Sequence, residues 1–152
     1  MRQRYLSWMF VIPAALSGGC GRQDTKPAAT PLTPAQEIAV KEYVTLLEEK
    51  IEFQERTAAV LATVQDNAAS KTAALEKLLQ LERDINAFND RAAQKRPIDM
   101  AVLLAGQERV LARELKAVQG IQAEVSRIVR MPGGEDFFDK QLKPLLEATK
   151  GR

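Results

Sequence analysis

The chain has no histidine, a single cysteine and an aromatic content of only 5%. Without histidine it can form no Ser-His-Asp or Cys-His catalytic centre, no Glu-x-x-His pair of a di-iron bundle and no Cys-x-x-Cys-His haem attachment. Met100 and Met131 supply the only sulfurs after the cysteine, which disfavours zinc and copper sites of the usual kind. We therefore predict that the protein is not an enzyme and has no catalytic residue, no metal site and no cofactor.

Two remaining patterns are weak as chemical motifs. Gly133-Gly134 lacks the Lys-Ser/Thr pair that follows in a phosphate-binding loop. Glu48, Glu49 and Glu52 have the spacing of a solvated helix surface, so we do not interpret them as a metal site.

Neither sign of charge is in clear excess. The chain has 22 basic and 20 acidic residues, and loss of Arg2 and Arg4 with an export signal would leave 20 of each. Nucleic-acid binding needs a basic face, so no nucleic-acid partner is predicted. The third predicted helix has an outer group of basic residues that anionic lipid or cell-wall polymer could approach, but interspersed glutamates favour a mixed surface. These basic residues are Arg109, Arg113, Lys116, Arg127 and Arg130.

Residues 1–19 have the pattern of an export signal. Arg2 and Arg4 precede an apolar run, Leu6–Leu16, which is shorter than the roughly 20 residues that a bilayer span requires. The small residues 17–19 then lead directly into Cys20.

The residues around the lone cysteine resemble the lipobox of bacterial lipoproteins. Ser17-Gly18-Gly19-Cys20 departs from the common pattern in one respect, because Leu16 lies four residues before the cysteine rather than three. The resemblance implies that Cys20 is lipidated, that cleavage before it makes it the first residue, and that a membrane is a partner of the chain. Two alternatives stay open: a plain signal peptide that leaves a free thiol, and an uncleaved anchor.

Residues 20–33 predict an extended tether between the lipid and the folded domain. The segment is small, polar and rich in proline, and at roughly 3.1 Å per residue its fourteen residues reach about 40 Å. Gly21 stands where some bacteria use aspartate to retain lipoproteins in the inner membrane. The expected location is the periplasmic face of an envelope membrane, with the outer membrane slightly favoured.

Residues 34–149 predict an all-α domain, an antiparallel three-helix bundle of long helices with a short C-terminal fourth helix. Thr33-Pro34-Ala35-Gln36 is a capping box that begins the first helix, which extends to about Val64. Asp66 or Ser70 is expected to cap the second helix, which ends near Gln94. The third begins near Pro97 or Asp99 and ends near Met131.

Apolar residues at steps of three and four predict the faces that pack together, as in coiled coils. Gly106 and Gly120 are expected to weaken the third helix. The predicted core positions, in chain order of the helices, are Val40, Val44, Leu47, Ile51, Ala58 and Leu61, with Tyr43, Leu46, Phe53, Val60 and Val64 beside them; Ala74, Leu78, Leu81, Ile85, Phe88 and Ala92; Ala101, Leu104, Leu111, Leu115, Val118, Val125 and Val129; and Phe138, Leu142 and Leu145.

Three polar residues interrupt these apolar faces: Gln54, Glu108 and Gln122. One interpretation is a buried polar cluster that binds a ligand between helices. The favoured interpretation is that single polar positions specify register, or that their side chains reach solvent at the edge of the bundle.

The segment LATVQDNAASKTAALEKL, residues 61–78, is similar to a stretch in small, uncharacterised, helical exported proteins and lipoproteins of bacteria. The matching residues are Val64, Asp66, Ala68, Ala69 and Ser70. This resemblance implies a helical fold and export, and it brings no activity. The expected function is that of a non-catalytic, membrane-tethered envelope lipoprotein acting as spacer, scaffold or assembly subunit with an envelope protein partner. The alternative is a helical binding module for a protein, peptide or lipid.

Overall fold

The computed structural model describes residues 31–95, 97 and 99–148, and no strand occurs among them. The helices are α1 (Pro34–Ala62), α2 (Ala68–Lys95), α3 (Met100–Val129), α4 (Gly134–Phe137), a π-helical turn (Phe138–Leu142) and α5 (Lys143–Ala148). The predicted all-α fold, with three long helices and a short C-terminal helical segment, is confirmed. The predicted export signal, Cys20 and the predicted tether up to residue 30 lie outside the described residues.

The long helices run up, down and up, so that α1 and α3 point the same way. At one end Gln36 Nε2 donates to Asp99 Oδ2 at 2.8 Å, and at the other Arg127 Nη1 donates to the carbonyl of Val64 at 2.9 Å. α2 runs antiparallel to α1, because Asp84 pairs with Arg56, whereas Arg91, further along α2, pairs with Glu49, earlier in α1. Among the long helices the contact between α1 and α3 is the most extensive.

Local side chains begin the helices. The predicted capping box is present, with Gln36 N donating to Thr33 Oγ1 and Thr33 N donating to Gln36 Oε1. Asp99 caps α3 by accepting from Ala101 N at 2.8 Å. The prediction of Asp66 or Ser70 as the cap of α2 is wrong, because Asn67 Oδ1 accepts from Ser70 N. The Ser70 hydroxyl instead accepts from Gln65 N and donates to the carbonyl of Gln65 within the turn.

We define the closed end as the C-terminal halves of α1 and α3, the N-terminal half of α2, and residues 134–148. Ile128 and Leu142 are fully buried there, and Phe137 is nearly so, with Lys71 Nζ 5.7 Å above its ring. The prediction of Phe138 and Leu145 as core was wrong, since both are only half-buried. Phe137 points inward instead.

Pro144 does not end the C-terminal helical segment, because it is the second residue of α5, which continues to Ala148. α5 follows directly on the π-helical turn, in which Lys143 N donates to the carbonyl of Phe138 five residues earlier. Such wider turns occur as local irregularities within helices.

We define the open end as the N-terminal halves of α1 and α3 with the C-terminal half of α2. Two clusters of buried residues lie along it, and both consist of α1 and α3 residues alone: Val40, Tyr43 and Val102, then Ile51, Val110 and Ala117. Leu32, predicted to belong to the tether, packs against the first cluster, so the folded domain begins before α1. α2 contributes to the core by packing on α1, where the buried ring of Phe88 lies 5.6 Å from that of Phe53.

Candidate functional site

The buried face of α3 is not the one that its leucines predict. Leu104, Leu111 and Leu115 were expected in the core, yet they are 60%, 51% and 40% exposed. Ala101, also expected in the core, is exposed as well. The residues of α3 that are buried are Val102, Gly106, Val110, Ala117, Ile121 and Ile128. The predicted core face of this helix is therefore wrong over its N-terminal half.

Small residues explain the choice of face. A Cβ on Gly106 would lie 2.5 Å from Tyr43 Cδ1, so α1 approaches α3 here more closely than any side chain would allow. At Gly120 a Cβ would lie 3.5 Å from Ala58 Cβ, an ordinary contact between small groups. Close approach places more atoms in van der Waals contact, which favours the small-residue face over the leucine face. Gly106, expected to be a weak point, is a packing position.

The face that α1 leaves uncovered carries a row of exposed apolar side chains. We call Met100, Leu104, Leu111 and Leu115 the leucine row; Met100 is 65% exposed. At 3.6 residues per turn these four positions fall within about 60° of one another and extend roughly 22 Å along the helix. Contiguous apolar side chains on a surface mark places where proteins bind one another.

The same face continues toward the closed end with decreasing exposure. Val118, Val125 and Val129 follow the leucine row at steps of three, seven and four residues, and all three are half-buried. Together with Ala101, Glu108 and Gln122 these positions form an unbroken heptad series along α3. The leucine row is thus the uncovered half of a coiled-coil-type face.

The three polar residues do not form a site. Glu108 is exposed, whereas Gln54 and Gln122 are half-buried. Glu108 and Gln122 are fourteen residues apart on one helix, roughly 21 Å, so they cannot converge on one ligand. Gln54 Oε1 is buried, and among the described residues it has no hydrogen-bond partner. The interpretation as a buried ligand-binding cluster is wrong.

Most of the basic residues that were singled out on α3 form hydrogen bonds or ion pairs within the domain. Arg113 forms a bidentate ion pair with Glu55, in which Nε donates to Oε1 at 2.9 Å and Nη2 donates to Oε2 at 2.8 Å. This hydrogen bonding lowers the pKa of Glu55 and raises the pKa of Arg113. Arg109 pairs with Glu37 at 2.8 Å. These exposed pairs stabilise weakly, but they leave the two guanidinium groups less available to an anionic surface than predicted.

Arg127 has a structural position that the sequence did not indicate. Its Nη1 and Nη2 donate to the carbonyls of Val64 and Leu61, both at 2.9 Å, while Nε pairs with Glu124 at 2.6 Å. The carbonyls at a helix C-terminus lack intrahelical partners and carry partial negative charge. Arg127 therefore joins α3 to the end of α1.

Two further features are absent from residues 31–95, 97 and 99–148. No group of three or more Cys, Asp or Glu residues is placed there to hold a metal ion. Nor is any helix in that part of the chain both long and apolar enough to cross a membrane. Comparison of the sequence with protein-family models and curated proteins, and with solved structures, gave no match.

Proposed function

We propose that this chain is a non-catalytic lipoprotein of the bacterial cell envelope whose helical domain acts by docking a protein partner on the leucine row. The lipid anchor rests on the sequence around Cys20, and the docking role rests on one observation, the exposure of Leu104, Leu111 and Leu115 on a single face. The role as an inert spacer is disfavoured, because a spacer has no use for such a face.

The chemistry of the row defines the partner. Its spacing matches the a and d positions of a coiled coil, so the complementary surface is an amphipathic helix of another protein chain. Burying the exposed remainder of each large side chain stabilises a complex by roughly 1 kcal/mol. Association itself costs at least several kcal/mol, so the complex is weak in dilute solution and benefits from confinement on a membrane, which raises the effective concentration.

The docking role is tested in cells by placing a photoreactive amino acid at Leu111. Irradiation should link the chain to a defined protein, with the same residue at Ile38 as control. Ile38 is also apolar and 61% exposed, but it lies on α1. Links from position 111 that vanish in a Leu104→Asn/Leu115→Asn background support the proposal. Equal links from both positions, or none, would overturn it.

The lipid anchor is tested separately with Cys20→Ser in a bacterium that processes lipoproteins. The parent should incorporate labelled fatty acid and fractionate with membranes, and the variant should do neither. Cleavage of both chains at the same bond without label in the parent would show a plain secreted protein.

A further inference from the structure

The leucine row is bordered on one side by a small residue and by two opposite charges. Ala112 lies beside the row on one flank of α3 and is exposed, whereas Ala105, two turns before it, packs against the cluster of Val40, Tyr43 and Val102. Glu108, at the heptad position between Leu104 and Leu111, and Lys116, outside the heptad series, lie one turn before and after Ala112, and both are exposed. Neither lies within ion-pair distance of an opposite charge in the described chain, in contrast to Arg109 and Arg113, although the charge of Lys116 contributes to lowering the pKa of Glu55 on α1.

This arrangement is complementary to itself when the helix is reversed. A twofold axis that passes near Ala112 and Arg113 sets Leu111 of one copy against Leu115 of the other. The same axis brings Ala112 of one copy next to Ala112 of the other. In the same register Glu108 lies opposite Lys116 of the second copy, and the twofold repeats this pair. Antiparallel coiled coils are stabilised by such flanking charges, and small flanking residues let the helices approach closely.

We infer that the occupant of the leucine row is a second copy of this chain, held through an antiparallel contact between the two α3 helices. This inference rests on the proposed function and names its partner. A parallel contact in the same register would instead set Glu108 against Glu108 and Lys116 against Lys116, and like charges in contact oppose association. The contact covers about four helical turns, so it is small by the standard of stable dimers. Membrane confinement through the tether compensates for its weakness.

The orientation is tested with one introduced cysteine in the full, membrane-anchored chain, in which a lipidated Cys20 has no free thiol. Ala112→Cys places the thiol at the axis, and Ala123→Cys is the matched control. Both alanines are exposed and lie on the same flank of α3. They are eleven residues apart, so in the antiparallel contact the two thiols introduced by Ala123→Cys are about 33 Å from each other.

Mild oxidation should link Ala112→Cys chains at least about tenfold faster than Ala123→Cys chains. Equal rates would indicate a parallel contact or random collisions, and either result overturns the inference. A dimer that forms only through Ala123→Cys would overturn it as well.

The charges are tested in the Ala112→Cys background. Glu108→Lys and Lys116→Glu should each slow linking about fivefold, because every reversal affects two symmetry-related pairs. The double reversal should restore the parent rate within about twofold. All these residues are exposed, so circular dichroism should show unchanged helix content. A double variant as slow as the single ones would overturn the predicted register.

The photo-crosslinking in cells separates this inference from the proposed function. A product from position 111 with twice the mass of the chain supports both. A product of any other mass supports the docking role and overturns self-association. Absence of a product overturns the docking role itself.

Discussion

The two ends of the bundle use the same helix in opposite ways. At the closed end Ile121 and Ile128 of α3 are buried, and its heptad face is half-covered. At the open end α3 buries only the face toward α1, and the heptad face bears the exposed leucine row. The periodicity of α3 hardly changes between the ends. What differs is the set of residues that pack around α3, because residues 134–148 pack only at the closed end.

An apolar face on a helix therefore predicts a contact without predicting which molecule provides it. At the closed end the contact comes from the chain itself. At the open end the clusters of buried residues contain only α1 and α3, and the leucine row stays uncovered within the described chain.

The largest expected effect on stability comes from removing the C-terminal segment that packs at the closed end. Ending the chain after Pro132 removes Phe137 and Leu142, which are 5% and 0% exposed. The free energy of unfolding should fall by about 3–5 kcal/mol, as for loss of large buried side chains. Thermal unfolding measures it, with a chain ending after Ala148 as control. If the shorter chain unfolds at the same temperature as the control, residues 133–148 do not stabilise the closed end.

Matched truncations on α3 compare the ends directly. Ile128→Ala at the closed end should lower the free energy of unfolding by about 2–4 kcal/mol, because Ile128 is fully buried. Leu111→Ala at the open end should change it by less than about 0.5 kcal/mol. Urea denaturation at low protein concentration measures both. Similar costs would show that the leucine row is covered within the monomer.

The close approach of α1 and α3 is tested with two glycines. Gly106→Ala places a methyl group 2.5 Å from Tyr43 Cδ1 and should destabilise the domain by about 1–3 kcal/mol. Gly120→Ala meets only Ala58 at 3.5 Å, and should be neutral or stabilising by up to about 1 kcal/mol. Thermal unfolding gives both values. A stabilising Gly106→Ala would contradict the close approach of α1 and α3 at this position.

The smallest expected effect is the pH dependence of stability that comes from Asp99 at the open end. Hydrogen bonds from Gln36 and then from Ala101 N lower the pKa of Asp99 in the folded chain. The folded state thus binds this proton more weakly than the unfolded chain. The stabilisation is present above the ordinary Asp pKa of about 3.9 and is lost as the pH falls through the lower folded value.

We expect Asp99→Asn to make the unfolding temperature fall less steeply between pH 5 and pH 3 (about the ordinary titration range), while asparagine still caps α3. Gln36→Ala should act in the same direction, because it removes the larger cause of the shift. An unchanged slope in both variants would show that Asp99 does not link the ends of α1 and α3.

The candidate site illustrates how far the sequence could lead. The heptad spacing of Leu104, Leu111 and Leu115 was visible, and it was interpreted as core. A warning was also present, since Val110, Ala117 and Ile121 define a second apolar face that includes Gly106. Two apolar faces on one helix indicate two partners, but spacing alone does not say which partner lies within the chain.

The sequence by itself determined where α1 begins and where α3 begins and ends. Thr33 with Gln36, Pro97 with Asp99, and Pro132 with Gly133 act through hydrogen bonds and backbone restrictions that extend three or four residues. Such interactions are complete within the local segment, so the residue types suffice to predict them.

Only the tertiary structure decided which face of α3 is buried and which charges pair. Gly106 meets Tyr43, and Arg127 meets the carbonyl of Val64, across more than sixty residues of chain. Burial depends on how closely two distant surfaces can approach, and this is a property of both surfaces together. The leucine row is exposed because α1 fits the other face better, and no property of the row itself determines that outcome.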